Sequence, residues 1–331
     1  MLLLIGKRLV AMVVILVALA AVIFYLQHIS PLDPVHAQLG AQASTEAIAA
    51  RRHELGLDKP ITVQFGKYLV NLLHGDLGTS YRTRRPVTTD LGAYFPATLE
   101  LTIAGLVLAI LLAFVLAFGT VLRWPGAGLF RALLLIGASM PTFLLGIAGI
   151  IIFYQKFGLL PANGRTSLTG VPTGPTGLLT VDGLLHGQLS VTVDALKHLL
   201  LPALAIALGP AVSIGRVLRS SLLADQQSDY ARTARAKGLT ELAVLRKHVL
   251  RNALGAALSM TGLQVGLMFA GVLVVEQVFG WPGIGQYVAQ SIPVADFPAI
   301  AGVTLMLGVA YIVINTTVDI LQAAADPRIN A

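Results

Sequence analysis

The sequence predicts an all-α polytopic membrane protein with six transmembrane helices, and three observations carry that prediction. The 331 residues are 56% hydrophobic and 12% charged, half the roughly 25% charged share of a soluble domain. Mean hydropathy is +0.79. Six apolar segments reach the roughly 20 residues that a spanning helix needs: Leu9 to Gln27, Ala97 to Leu122, Ala132 to Tyr154, Leu199 to Leu222, Leu254 to Val275 and Ile300 to Ile320.

The net charge of +7 sits mostly at the ends of apolar runs, where lipid head groups and the positive-inside bias account for it, so no nucleic-acid partner is expected. Zero cysteines exclude disulfides, thiolate metal sites and thiol nucleophiles.

Taken in order, the first segment follows Lys7 and Arg8, and Val35-His36-Ala37 loosely resembles a signal-cleavage site. Its apolar run exceeds a signal core, so residues 1–28 are expected to remain as the first spanning helix. Residues 29–96 are polar enough to fold outside the bilayer as an extracytoplasmic loop domain, with helical periodicity in Glu46 to Leu57 and Val63 to Leu73. Residues 97–331 hold five further helices and the loop 229–254.

Arg123 and Arg131 bracket the turn between helices 2 and 3, and a strongly basic island joins helices 4 and 5, whereas Trp281 to Ala295 contains no Lys or Arg. Both termini are therefore expected in the cytoplasm. The cations of the first long loop, Arg51, Arg52, Arg82, Arg84 and Arg85, do not count against this, because long translocated loops escape the charge rule. Gln155 to Lys197, rich in Gly, Pro, Thr and Ser, reads as a mostly irregular outer excursion with one short helix. Pro141, Pro202 and Pro210 are candidates to break or kink helices 3 and 4. No internal repeat is evident.

The basic island, Asp229 to Leu254, carries Arg232, Arg235, Lys237, Arg246, Lys247 and Arg251. Tyr230 to Lys237 has helix-forming composition, Gly238 stands where a left-handed residue would end that helix, and Thr240 can cap the next. In the second helix Leu242, Leu245 and Val249 fall on one face, leaving Arg246, Lys247 and Arg251 for solvent, lipid phosphate or a partner. By itself such a loop serves equally well as a topology anchor.

This island resembles the EAA loop of ABC importer permeases, in the variant of the dipeptide, oligopeptide and nickel branch. Tyr230, Arg232 to Ala234, Ala236-Lys237-Gly238-Leu239 and His248 to Leu254, including Asn252, match closely. Supporting fragments follow in order along nearly the whole chain: Asp33-Pro34, Gly56-Leu57-Asp58 with Pro60, Gly75-Asp76-Leu77-Gly78 with Ser80, and Pro96-Ala97-Thr98-Leu99. Then come Pro141-Thr142-Phe143, Leu160-Pro161-Ala162-Asn163-Gly164, Val275-Glu276 with Phe279, Trp281-Pro282-Gly283-Ile284-Gly285, and Asp326-Pro327-Arg328. The chain departs from the general pattern with Arg232-Thr233-Ala234 in place of Glu-Ala-Ala and Leu250-Arg251 in place of Leu-Pro, and Pro31-Leu32-Asp33-Pro34 replaces Pro-Gly-Asp-Pro.

The resemblance implies a type I importer permease fold, most like the first permease of a dipeptide system, in a bacterial inner membrane. It implies ATP-driven import of dipeptides or short oligopeptides, with nickel or glutathione import as the alternative within the branch. The implied partners are a second, homologous permease in a heterodimer, two ATPase subunits or domains, and an extracytoplasmic solute-binding lipoprotein. No cofactor is implied in this chain; ATP and Mg would be bound by the ATPases. The implied coupling set is Tyr230, Arg232, Ala234, Arg235, Ala236, Lys237, Gly238, Leu239, Leu242, His248, Arg251 and Asn252, with Pro141, Phe143, Glu276 and Trp281 as pore or gate candidates.

Competing chemistry is weak. Gly6-Lys7-Arg8 and Gly66-Lys67-Tyr68 lack the Ser or Thr of a phosphate-cradling loop, so the chain is not expected to be an enzyme or to hold its own ATP site. His53-Glu54 lacks the second histidine of a zinc protease, Leu57 standing in its place, and Gly137-Ala138-Ser139 lacks the spacing of a nucleophile elbow. His36, His74, His186 and His198 are scattered rather than clustered. Ionisable groups in the apolar region are read as few, Glu100, Glu276 and Asp319, none at mid-membrane where a stand-alone proton-coupled carrier would need one.

Overall fold

The structure is a computed structural model that describes residues 2–30, 35, 43–171 and 174–325. Asp33-Pro34 with the two residues before it, His36-Ala37, and Asp326-Pro327-Arg328 lie outside the described residues.

The described chain is helical, with one isolated bridge, Thr79 to Pro86, outside the helices. In order the helices are α1 (Leu2–Ile29), α2 (Thr45–Leu55), α3 (Ile61–Leu73), α4 (Val87–Val121), α5 (Ala127–Ala138) and α6 (Thr142–Gly149), the last continuing as a π segment, Ile150–Lys156. They are followed by α7 (Leu179–Leu185), α8 (Leu189–Gln226), α9 (Asp229–Ala236), α10 (Glu241–Val244), a π turn (Leu245–Val249), α11 (Leu250–Val278), α12 (Ile284–Ser291) and α13 (Phe297–Ala325). Among the described residues five stretches are long and apolar enough to cross a membrane: Met12–Ile29, Val87–Val121, Leu189–Gln226, Glu241–Val278 and Phe297–Val318.

The third expected span is not a single rod. α5 and the α6 helix meet at a bend of 114°. Pro141 has no N–H to donate and disfavours the helical region for Met140, so the ladder stops at Ser139 and restarts at Thr142. Pro202 and Pro210, by contrast, are buried within one unbroken helix, α8. A 38-residue helix rises about 57 Å at 1.5 Å per residue, well beyond the roughly 30 Å hydrocarbon layer, so α8 reaches past the bilayer surface. α4 likewise begins ten residues before the expected Ala97 and carries Pro96 in its interior.

Contacts divide the chain into two compact units, one of residues 1–95 and 284–312, the other of residues 96–283 and 313–331. Within the first unit, Phe24 of α1 meets Phe65 and Tyr68 of α3 at ring-centroid distances of 5.3 and 5.7 Å. Ser80 donates to Asp296, whose other contacts are the amides of Arg82 (3.1 Å) and Ala299 (3.3 Å). Asp90 accepts from Thr83 (2.5 Å) and Tyr287 (3.1 Å), and Tyr94 stacks on Tyr287. Burial, then the neighbouring Asp90 carboxylate, pushes the Tyr287 hydroxyl well above its ordinary range.

In the second unit α8 packs along α11 more extensively than against α5, α6 or α7. Close approach is set by small residues: a Cβ on Gly105 would stand 2.4 Å from Ile206 Cδ1. Among its described residues, Gln155 to Lys197 is irregular apart from the end of the π segment, α7 and the first turns of α8, but it is pinned. Gly164 N donates to Phe279 O at 2.9 Å, and Asp194 accepts from Thr166 Oγ1 at 2.6 Å and Ser167 N at 2.8 Å.

Candidate coupling surface and membrane cavity

At the end of α8, Ser228 Oγ accepts from Ala231 N (3.4 Å) and opens α9. α9 ends in a Schellman motif: Gly238, at φ +83°, donates to Arg235 O (2.9 Å), and Leu239 N reaches Ala234 O (3.3 Å). Thr240 Oγ1 then accepts from Ala243 N at 3.4 Å and starts α10. These three local devices turn the chain into the elbow expected from its sequence.

The second arm runs on through the π turn as part of the continuous helix Glu241–Val278. Its buried line is Leu245, Val249, Ala253 and Ala257, at intervals of four, packed with Val244, Ala231 and Ala234 against Leu218 and Leu222. Residues four apart drift about 40° around an α-helix; a π turn takes up that drift and keeps the line facing α8. Leu242, expected on this face, lies ahead of it in the first turn and is 52% exposed.

Above that buried floor the outward residues include Asp229, Tyr230, Arg232, Ala236, Lys237, Gly238, Glu241, Leu242, Arg246, Lys247, His248, Arg251 and Asn252. Arg232 faces Asp229 at 3.5 Å, both in solvent. Leu239 is half-buried, and Ala234 belongs to the floor. Arg235 is drawn back. Its Nε donates to Glu241 Oε1 (2.7 Å), Nη2 to Glu241 Oε2 (3.2 Å) and Nη1 to Gln226 O (2.9 Å), and the Glu241 hydrogen bond raises its pKa.

Of the pore candidates, Pro141 and Phe143 are exposed at the 114° bend. Glu276 and Trp281, by contrast, are 0% and 1% exposed. Thr98 Oγ1 donates to Glu276 Oε1 at 2.5 Å, and the carboxylate lies where a Gly283 Cβ would stand. Trp281 Nε1 donates to Ala97 O at 2.9 Å, with the Arg165 guanidinium 5.7 Å above its ring. Arg165 also pairs with Glu100, which accepts from Thr180 N (2.8 Å) and Oγ1 (2.6 Å). Buried charge is tolerated here because each carboxylate is paired or hydrogen-bonded.

A cavity of about 440 Å³ lies beside the bend, with walls from α5, α6, α8 and α11. Ser139, Thr142, Ser213, Arg216 and Gln264 line it. Among the described residues no three His, Asp or Glu side chains converge as a metal site. His74 and His186 bond their own helices, and His198 Nδ1 is shared by Asn163 O (2.9 Å) and Gly164 O (3.1 Å).

The family described as binding-protein-dependent transport system inner membrane component matches residues 91–331, and its N-terminal companion matches residues 1–102. A dipeptide transport system permease protein, DppB, of Alkalihalophilus pseudofirmus is 39% identical over 98% of this chain and 98% of its own length. The chain belongs to this family of inner membrane transport components. A glutathione transport system permease protein, GsiC, of Salmonella paratyphi A is 36% identical over 98% of the chain and 97% of the relative. Inward-facing structures of the MetNI methionine ABC transporter include a chain with TM-score 0.48 and 17% identity, covering 72% of this chain and 94% of that one.

As an inner membrane component of an importer, the chain is a multi-pass subunit that works with other subunits. For this family member, sequence reasoning missed two features. One is the Arg235 to Glu241 pair, for which opposite charges six residues apart across a glycine were the available signal. The other is Arg216 with Arg219, which lie inside the apolar run Leu199 to Leu222 and belong beside Glu100, Glu276 and Asp319. Arg219 Nε is enclosed with no hydrogen-bond partner among the described residues.

Proposed function

We propose that this chain is a permease subunit of an ATP-driven importer of dipeptides or short oligopeptides. In this reading it pairs with a second, homologous permease, receives substrate from an extracytoplasmic binding lipoprotein, and is driven by two ATPase subunits that bind ATP and Mg. Peptide as the cargo is supported by the 39% identical dipeptide permease relative. The observation that carries the coupling role is the elbow itself, an outward ridge of cations with Tyr230 and Leu242 on a floor sealed against α8. An apolar groove with an acidic lining on an ATPase would accept Leu242 and the surrounding cations, and rigid attachment to two spanning helices would pass a displacement inward. Glutathione is the second reading, favoured by the permease relative of that name.

Reconstitution tests this directly. With partner subunits and ATP in proteoliposomes, labelled dialanine should accumulate, and it should not accumulate when the ATPases are omitted. Uptake by the chain alone, without nucleotide, would instead make it a self-sufficient carrier.

A further inference from the structure

The 440 Å³ cavity has the size of a small-molecule site and holds a cation that the coupling role does not use. Arg216 lies within the apolar run Leu199 to Leu222, six residues before its end, about 9 Å at 1.5 Å per residue. Among the described residues its guanidinium makes no ion pair and no hydrogen bond, and the cavity lining contains no Asp or Glu. A cation inside a membrane span faces water or an anionic partner. Gln264 adds a second observation: it is 9% exposed, lines the same cavity, and its amide has only the weak Met260 sulfur acceptor at 3.7 Å among the described residues. Ser139 and Ser213 spend their hydroxyl protons on backbone carbonyls, so the donors left to a ligand are the guanidinium, the carboxamide and the Thr142 hydroxyl. Three donor groups and no acidic neighbour suit a carboxylate, which only accepts and which guanidinium grips with two parallel bonds. Ile206, Leu267 and Met268 supply apolar wall beside it.

We propose that this cavity is a substrate subsite in which Arg216 binds the C-terminal carboxylate of the transported peptide and Gln264 donates to the same end of the molecule. This rests on the peptide-import reading. It makes Arg216 a specificity residue that favours peptides with a free carboxyl terminus.

The chain has no cysteine, so Ser213→Cys places its one thiol on the cavity wall, three residues from Arg216. In the assembled complex in lipid nanodiscs, modification of this chain by a small water-soluble thiol reagent should proceed, dialanine should slow it, and dialanine amide should not. Adding Arg216→Gln should raise the dialanine needed for half-protection about tenfold or more, the loss expected for a charge-assisted pair. Thr142→Cys reports from the opposite wall if Ser213→Cys fails to assemble. Equal protection by acid and amide, protection that survives Arg216→Gln, or protection by short-chain phosphatidylglycerol but not dialanine would overturn the subsite. So would a thiol that no reagent reaches. ATP-driven dialanine uptake by the parental complex is measured alongside. Uptake without Arg216-dependent protection sinks the subsite alone, while absence of uptake sinks the import reading.

Discussion

Arg235 and Glu241 are joined by a two-pronged ion pair, Nε to Oε1 at 2.7 Å and Nη2 to Oε2 at 3.2 Å, that spans the Gly238 joint from one arm of the elbow to the other. The third guanidinium nitrogen holds the carbonyl of Gln226 at the end of α8. One side chain therefore fixes the angle between both arms and the helix that carries them. Exposed pairs add little to stability, so the consequence lies in geometry.

Glu241→Gln keeps the shape of the side chain and removes its charge. It should leave expression and membrane insertion unchanged while lowering transported peptide per ATP hydrolysed, measured in proteoliposomes. Arg235→Glu should fail in the same way, and combining it with Glu241→Arg should restore part of the coupling.

Gly238 sits at φ +83°, and a Cβ there would meet nothing within 4 Å. Gly238→Ala therefore carries only the left-handed backbone cost, about 1 kcal/mol, and should reduce uptake modestly. Gly238→Pro demands φ near −65° and removes the N–H that bonds Arg235 O, so it should insert normally yet uncouple ATP hydrolysis from uptake. Normal uptake by the proline variant would refute the coupling role of the elbow.

Trp281→Phe removes the indole N–H that bonds the buried Ala97 carbonyl. That carbonyl keeps its place in the α4 helix ladder, so losing this one extra buried hydrogen bond should destabilise the second unit by about 1 kcal/mol, read as a lower melting temperature in detergent. Because Trp281 is buried, substrate preference should not change.

Gly105→Ala would drive a methyl into Ile206, with Cδ1 only 2.4 Å away. Overpacking of this kind costs about 1–3 kcal/mol, and Ile206→Ala in the same chain should recover most of it by making room. Recovery is checked by comparing thermal unfolding of the single and double variants.

Tyr287 has a folded-state pKa raised above its ordinary 10.0, chiefly by burial. A raised value means that the stabilising contribution is complete below pH 10 and is lost as pH climbs through the folded value, because the unfolded chain releases the proton first. Thermal stability should therefore fall above about pH 10, and Tyr287→Phe should flatten that alkaline decline.

Much of the fold was readable because membrane helices announce themselves: the apolar runs located every long helix, and Gly238 and Thr240 drew the elbow from local chemistry alone. Pro141 marked the broken span for the same reason, since a missing N–H is a property of one residue. The same logic gave no warning that Pro202 and Pro210 would be carried through an unbroken α8. Burial of Glu276 and Trp281 was likewise invisible, because Thr98, Ala97 and Gly283 come to them only through folding.

Sequence by itself determined the number of apolar segments, the elbow and the family, since each depends on composition or on residues within a turn of one another. Tertiary structure alone decided which side of the second arm faces α8 and that Arg216, Gln264 and the Pro141 bend share one cavity. Those outcomes depend on packing between segments far apart in the chain, where a one-residue change in helical phase turns a side chain by about 100° and exchanges an inward face for an outward one.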